Sequence, residues 1–149
     1  MLTENAQPFE ILLVEDELAD ANLVRLAIKQ SKAYCNLHHV MDGLEALAFL
    51  RREGGRFGSV PKPDLILLDL NMPRMNGHEF LAAVKADENL ASIPVVVLTT
   101  SEVERDVASA YKLGAAGFVT KPVDMDQFVA AMGKLAGYWL TLTRLPKKE

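Results

Sequence analysis

A single aspartate, Asp69, follows an aliphatic run in the segment LILLDLNMPRMNG, residues 65–77. The run is typical of a buried strand, and a buried carboxylate is costly unless other groups pair with it. Ligands of open parallel sheets bind at the carboxyl ends of the strands, so the residues that end the other strand-like segments are its candidate partners. These residues are Glu15, Asp16 and Glu17 after the first segment, Thr99, Thr100 and Ser101 after the fourth, and Lys121 with Pro122 after the fifth.

Three of these acids, Glu15, Asp16 and Asp69, would repel one another if they converge. Two carboxylates about 4 Å apart repel by about 4 kcal/mol at an effective dielectric of about 20, so the cluster needs a cation or a shared proton. With only oxygen ligands on offer, Mg²⁺ fits better than zinc, and Mg²⁺ can also take a phosphate oxygen. The pattern therefore predicts a magnesium site that supports phosphoryl chemistry.

Aspartate can attack phosphorus and carry an aspartyl phosphate, and Asp69 is the natural acceptor. Lys121 can pair with one phosphoryl oxygen, and the Thr99 hydroxyl can donate to another. Taken alone, Asp69 is better explained as a strand-end residue that caps a turn, and the phosphoacceptor is favoured only because the other acids, Thr99 and Lys121 accompany it. Glu17 is better explained as a favourable charge at a helix start. Thr100 is expected on the opposite strand face from Thr99.

Five short segments predict strands, several of them aliphatic without alternation, as in parallel strands covered on both faces. Stretches with helical spacing lie between them, which indicates parallel β-α units and a doubly wound three-layer α/β sandwich around a five-stranded parallel sheet. The predicted strands are Ile11–Val14, Leu37–Val40, Leu65–Leu68, Val95–Leu98 and Gly117–Val119.

Shared apolar faces and caps predict the helices between the strands. The capping-box spacing of Ser101 with Glu104 and of Asp124 with Gln127 predicts two helix starts, and Gly114 is expected at the end of the fourth helix. The predicted apolar faces are Leu18, Ala21, Val24 and Ile28, then Leu44, Leu47 and Leu50, then Phe80, Leu81 and Val84, then Val103, Val107 and Ala110.

Composition excludes several function classes. The chain has 149 residues, half of them apolar, which suits one domain, and its net charge of -4 gives no general attraction to nucleic acid or anionic membranes. Its aliphatic runs are far shorter than the roughly 20 residues of a membrane-spanning helix. The amino terminus lacks the pattern of a secretory signal and the single Cys35 has no disulfide partner, so a cytoplasmic protein is expected.

Two regions and three histidines stand outside this chemistry. Residues 51–63, RREGGRFGSVPKP, predict a long basic loop before the third strand. The tail from Gly137 carries apolar side chains that either extend the last helix over its own core or form a partner or dimer surface, which is favoured. These side chains are Tyr138, Trp139, Leu140, Leu142 and Leu145.

His38 and His39 face opposite ways on a strand and are not expected to chelate a metal together, and His78 is expected at the surface.

Four motifs in order, LLVED, LILLDLNMPRMNG, PVVVLTTS and LGAAGFVTKP, resemble the receiver domain of two-component response regulators. The resemblance implies a flavodoxin-like single receiver domain over residues 1–149, with a core at about 9–136 and an extension at 137–149. It also implies that a histidine kinase phosphorylates Asp69. The implied roles are Mg²⁺ binding by Asp16, Asp69, the backbone carbonyl of Asn71 and, through water, Glu15; phosphate sensing by Thr99 and Lys121; an aromatic switch at Phe118; and a cis peptide at Lys121–Pro122.

The loop at 51–63 and the aromatic tail more narrowly resemble single-domain regulators that serve phytochromes. That likeness implies a homodimer formed through the face of the fourth helix and fifth strand. Such a receiver is not an enzyme apart from accepting phosphate and slow self-dephosphorylation.

Two alternatives are an aspartate-nucleophile phosphatase and a constitutive binding module without phosphorylation. Phosphatases similar to the haloacid dehalogenase group carry a second aspartate two residues after the nucleophile, where this chain has Asn71. All the chemical positions of a receiver are present, which argues against a decayed binding module. Nothing after the receiver is long enough for a helix-turn-helix domain, so output by protein contact is expected.

Overall fold

The protein folds around one parallel five-stranded sheet, seen in a computed structural model that describes residues 8–31, 34–53, 55–70, 72, 74–99 and 109–120, and single residues 126, 130 and 134. The strands run in the order β2-β1-β3-β4-β5, and every pairing is parallel. In chain order the elements are β1 Phe9–Val14, α1 Leu18–Ser31, β2 Cys35–Val40, α2 Gly43–Leu50, β3 Leu65–Asp69, α3 Gly77–Ala86, β4 Val95–Thr99 and β5 Gly117–Thr120.

All five predicted strands are confirmed, each with one or two more residues than the aliphatic runs indicated. The extra residue of β3 is Asp69 itself, which ends the strand and pairs in register with Leu98. The carboxylate that interrupts the aliphatic run therefore stands at the carboxyl edge of the central strand.

Two hydrophobic cores cover the two faces of the sheet, which confirms the three-layer sandwich. Alternate residues of β1 and β3 divide between them, so Leu12 and Ile66 pack in one core and Leu13 and Leu67 in the other. Helices α2 and α3 cover the first face and α1 the second. Because both faces are buried, these strands carry aliphatic residues without alternation.

The predicted apolar faces of α1 and α2 are each wrong at one residue. Leu18 is 62% exposed and Leu44 is 48% exposed, whereas the later members of both faces are buried or half-buried. Both exposed leucines lie in the first turn of a helix that follows a strand of the sheet. In α3, by contrast, Phe80, Leu81 and Val84 are all fully buried as predicted.

Helix ends agree with the sequence where the structure describes them. Gly114 has a φ of +103° in the turn that follows helical residues 109–112, and its amide donates to the Tyr111 carbonyl, as a left-handed helix terminus requires. The predicted capping boxes at Ser101 and Asp124 and the Lys121–Pro122 peptide lie outside the described residues.

The long loop before β3 is confirmed, and a buried aromatic anchors it. Phe57 is 7% exposed and packs against Phe49 of α2 with ring centroids 5.4 Å apart. Arg56 lies over the Phe57 ring and donates to the Glu45 carboxylate at 2.9 Å. Part of the loop's positive charge is therefore balanced by α2.

Candidate functional site

Three carboxylates meet at the carboxyl edge of the sheet. Val14 pairs in register with Leu68, so Glu15 and Asp69 follow at the same level of two neighbouring strands. One carboxylate oxygen from each of Glu15, Asp16 and Asp69 lies within 4.8 Å of the others. Glu15 is fully buried and Asp69 is 6% exposed. The structure thus brings together the three acids that the sequence singled out.

The cluster has the donor chemistry of a divalent-cation site. One oxygen of Asp16, Oδ1, is buried and has no hydrogen-bond donor among the residues that the structure describes. A buried acceptor without a donor is costly, and a cation in contact with it would remove that cost. Because all three side chains offer only oxygen, they fit a hard cation such as Mg²⁺ or Mn²⁺.

Neighbouring groups fix the segment that carries Glu15. The Glu15 amide donates to the Val40 carbonyl at 3.1 Å, and the His39 ring Nε2 donates to the Glu15 carbonyl at 2.7 Å. The Glu17 amide in turn donates to the Glu15 carboxylate at 3.2 Å, while the Glu17 side chain is exposed. This role of His39 was missed, because no short-range pattern links a strand histidine to a carbonyl 24 residues earlier.

A glycine packs directly against the backbone of the central aspartate. A Cβ atom on Gly77, the first residue of α3, would lie 2.7 Å from the Asp69 carbonyl oxygen and 2.5 Å from the Leu70 Cα. The Gly77 amide donates to the Leu70 carbonyl at 2.9 Å. The start of α3 therefore closes the loop that follows Asp69, and only glycine leaves room for that approach.

An acidic cap at the start of α2 lies on the same side of the molecule. The Asp42 side chain accepts from the Glu45 amide at 2.9 Å and from the Arg74 guanidinium, whose Nε is 2.8 Å away. Burial raises the pKa of Asp42, but the Glu45 amide and Arg74 outweigh it, and the pKa lies below its ordinary value. Asp42 is therefore held as a carboxylate, although sequence reasoning did not single it out. Its spacing to Glu45 is that of a capping motif and could have indicated it.

One residue of the predicted phosphate-sensing pair, Thr99, belongs to β4, and the other, Lys121, lies outside the described residues. Thr99 ends β4 and its backbone is in register with Thr120, the residue that precedes Lys121. Phe118 belongs to β5. The side chains of Thr99 and Phe118 lie outside the described residues, as do Asn71, Lys121 and the tail positions Tyr138, Trp139, Leu140 and Leu142.

The histidines have separate roles. His38 and His39 both belong to β2, where the His38 ring nitrogen is 2.7 Å from a Glu10 carboxylate oxygen and His39 bonds to the Glu15 carbonyl. The two rings therefore have different hydrogen-bond partners. The expectation of a surface position for His78 is wrong, because this residue is half-buried and its Nε2 is enclosed without a partner among the described residues.

Helices long and apolar enough to cross a bilayer are absent from the portion of the chain that the structure describes.

Comparison with known proteins identifies the family. The family profile of the response regulator receiver domain matches residues 11–133. The response regulator Rcp1 of Synechocystis sp. is 41% identical over 146 residues, which cover 98% of this chain and 99% of Rcp1.

Solved structures agree in fold and in sequence. The crystal structure of the phosphorylated cyanobacterial phytochrome response regulator RcpA has a TM-score of 0.86 and 40% identity, covering 95% of this chain and all of RcpA. The Mn²⁺-bound form of Rcp1 has a TM-score of 0.80 and 39% identity, covering 94% of this chain and all of that one. The chain therefore belongs to the response regulator receiver domain family, whose members are phosphorylation-dependent signalling switches.

Proposed function

We propose that this chain accepts a phosphoryl group on Asp69 from a histidine kinase and signals through protein contact. The observation that carries the proposal is the cluster of Glu15, Asp16 and Asp69, whose carboxylate oxygens lie within 4.8 Å at the edge of the sheet where ligands of this fold bind. Asp69 belongs to that cluster and ends the central strand of the sheet.

Mg²⁺ is the proposed cofactor. Asp16, Asp69 and the backbone carbonyl of Asn71 would hold it directly, and Glu15 through a water molecule. The buried Asp16 Oδ1 without a donor among the described residues supports this assignment, and so does the Mn²⁺-bound form of the relative Rcp1. When bound, Mg²⁺ supplies positive charge that offsets the carboxylates and the incoming phosphoryl group.

The transfer itself is a substitution at phosphorus. A carboxylate oxygen of Asp69 forms a bond to the phosphorus of the kinase phosphohistidine while the phosphorus–nitrogen bond breaks. The histidine nitrogen leaves with the electron pair and is then protonated by solvent. His39 and Gly77 contribute by fixing the backbones of Glu15 and Asp69 before the donor arrives.

The phosphoryl group would be sensed at β4 and β5. We assign Thr99 and Lys121 to its oxygens and Phe118 to the aromatic switch. The register of Thr99 with Thr120 supports the first two assignments, because it brings position 121 one residue beyond the level of Thr99. Phosphorylation would then bias a two-state equilibrium of this edge of the sheet.

The kinase is proposed to be of the phytochrome type. The name of the relative RcpA, a cyanobacterial phytochrome response regulator, supports this partner.

We further propose one receiver domain over residues 1–149 with a core at about 9–136, a cytoplasmic site of action, and a homodimer to which Tyr138, Trp139, Leu140 and Leu142 of the extension contribute. The phosphatase alternative is disfavoured, since Asn71 stands where such enzymes need an acid, and only slow self-dephosphorylation is expected.

The test is intact-mass analysis after incubation with Mg²⁺ and acetyl phosphate. The native chain should gain one phosphoryl group that hydroxylamine removes, and Asp69→Asn should gain none. Asp64→Asn is the matched control, because Asp64 precedes the same strand at its opposite end, where it accepts from the Glu10 amide at 2.8 Å. A labile adduct on Asp69→Asn would overturn the assignment of Asp69. No adduct on a folded native chain, even with candidate kinases added, would favour the constitutive binding module.

A further inference from the structure

An ion pair joins the start of α2 to the loop between β3 and α3. The two carboxylate oxygens of Asp42 have different partners. Oδ1 accepts from the Glu45 amide at 2.9 Å, and Oδ2 accepts from Nε and Nη2 of Arg74. Asp42 is 4% exposed, whereas the Arg74 side chain is 58% exposed. A solvent-facing arginine is thus tied to a buried carboxylate 32 residues earlier in the chain.

The backbone of Arg74 adopts a conformation that ordinary residues avoid. Its φ is +63°, in the left-handed region that side chains with a Cβ atom disfavour. Such a residue persists when its surroundings hold it in place, and such residues cluster at functional sites. Here the Asp42 carboxylate accepts from the Arg74 side chain.

Met75, which follows Arg74 in the loop, packs against Gly43, which follows Asp42 at the start of α2. A Cβ atom on Gly43 would lie 2.7 Å from the Met75 Cγ and 2.9 Å from its Sδ, so the Met75 side chain covers Gly43. Two consecutive loop residues, Arg74 and Met75, therefore contact two consecutive residues at the start of α2. The ion pair is the polar half of this contact and Met75 is the apolar half.

The inner end of the loop is fixed separately, by Gly77 against Asp69 and Leu70. Leu70 and Gly77 thus close the loop at its base beside Asp69, and Arg74 and Met75 anchor it to the start of α2. The segment between these two anchors includes Asn71, whose carbonyl is the proposed metal ligand. A shift of the outer anchor would be transmitted to a ligand only a few residues away.

We propose that Asp42 and Arg74 are positioning residues for metal binding, because their ion pair holds the β3–α3 loop in the conformation that presents the metal ligands. This inference rests on the proposed function. Breaking the pair should weaken the affinity for the divalent cation, while the rate of phosphorylation at saturating Mg²⁺ should change little. A purely structural role would instead lower stability without a selective effect on metal binding.

Two variants break the pair without removing the helix cap. Arg74→Gln removes the guanidinium from an exposed position. Asp42→Asn removes the charge and keeps a side chain that caps α2 as well as aspartate does. The matched control is Arg56→Gln, which breaks the 2.9 Å pair between an arginine of similar exposure, 64%, and Glu45 of the same helix. Arg56 belongs to the loop before β3 and does not touch the β3–α3 loop through this pair.

Mn²⁺ affinity, measured from the electron paramagnetic resonance signal of the free ion, is the primary readout, and phosphorylation by acetyl phosphate across an Mg²⁺ titration is the second. Arg74→Gln and Asp42→Asn should each bind Mn²⁺ about tenfold more weakly than the native chain, as is usual when a partner that orients metal ligands is lost. The double variant should be no weaker than either single one, because both remove the same pair. Arg56→Gln should bind like the native chain.

Equal Mn²⁺ affinity of Arg74→Gln and the native chain would overturn the inference, and so would an equal loss in Arg56→Gln. Either result leaves the proposed function intact, because the native chain still binds metal and accepts a phosphoryl group. A native chain that does neither would overturn both. If Asp42→Asn fails to fold, the exposed Arg74→Gln decides the question alone.

Discussion

At the scale of single residues, the three carboxylates of the acidic site repel one another. At a separation of 4.8 Å, two carboxylates repel by about 3.5 kcal/mol at an effective dielectric of about 20. Two of the three acids are buried, which limits screening by salt. Without a cation, the charge of Asp16 therefore opposes folding, and with a cation the same charge contributes to binding.

This balance predicts opposite effects of Asp16→Asn in the two conditions. In the presence of a chelator, the variant should be more stable to urea by about 1–2 kcal/mol, because it relieves part of the repulsion. Saturating Mg²⁺ should stabilise the native chain by about 2.7 kcal/mol at 100 times the dissociation constant, and the variant by much less. Glu17→Gln is the control, since Glu17 is exposed and its carboxylate is not part of the cluster. Destabilisation of Asp16→Asn in chelator would contradict the account.

The three acids of the site could be predicted from the sequence, whereas the long-range contacts around the site could not. Glu15, Asp16 and Asp69 follow recognisable strands, and the end of a strand is a local property. The contacts of His39 with Glu15 and of Arg74 with Asp42 join residues 24 and 32 positions apart. In the contact with Asp42, Arg74 also has a positive φ, which the residue type arginine does not indicate in a sequence.

At the scale of elements, the first residue of α3, Gly77, packs directly against the backbone of Asp69, the proposed phosphoacceptor. Asn76 caps this helix in a reciprocal box with Glu79, with hydrogen bonds of 2.9 and 3.0 Å. The segments DGLE at 42–45 and NGHE at 76–79 have the same spacing, and in each the acid or amide caps the helix. In the second segment the glycine also makes the close approach to Asp69 and Leu70.

Gly77→Ala should therefore damage both stability and phosphorylation. Its Cβ would meet backbone atoms of Asp69 and Leu70, which cannot move aside like a flexible side chain. Overpacking of this kind costs about 1–3 kcal/mol. The variant should unfold at lower urea concentration and accept phosphate from acetyl phosphate more slowly at saturating Mg²⁺.

Gly55→Ala is the matched control for that substitution, because nothing lies within 4 Å of a Cβ atom at this loop position. It should leave the urea midpoint and the phosphorylation rate unchanged. If Gly77→Ala behaves like Gly55→Ala in both measurements, the backbone of Asp69 is not held by α3 in the manner described.

At the scale of the whole molecule, the sheet could be predicted almost completely, and its helical cover less so. Strands such as β1 and β3, which are aliphatic and buried on both faces, have a strong signal, and the other three strands of the described sheet were also predicted. The strand order β2-β1-β3-β4-β5 is that of the flavodoxin-like sheets, in which crossovers are right-handed. The exposure of Leu18 and Leu44 at helix starts depends on what packs against each helix, and spacing along one helix does not contain that information.

The stability of the whole domain should decline in acid, partly through the start of α2. Burial raises the pKa of Asp42 and of Glu45, but backbone amides and arginines outweigh it in both. For Glu45 these groups are the Met41 amide and Arg56. Both carboxyls thus have a lower pKa in the folded chain than their ordinary values of 3.8 and 4.5. The unfolded chain binds more protons near these values, so the stabilisation is present above them and is lost as the pH falls through the folded values.

Urea unfolding at a series of pH values between about 6 and about 3 measures this effect as the slope of the unfolding free energy against pH. The native chain should lose stability steadily below about pH 4.5, and the double variant Asp42→Asn with Glu45→Gln should show a shallower slope over the same range. The two substitutions remove only the titrating groups, and the new side chains can still accept hydrogen bonds from the Glu45 and Met41 amides. An unchanged slope would mean that other carboxylates dominate the acid response and that the capped start of α2 is not its source.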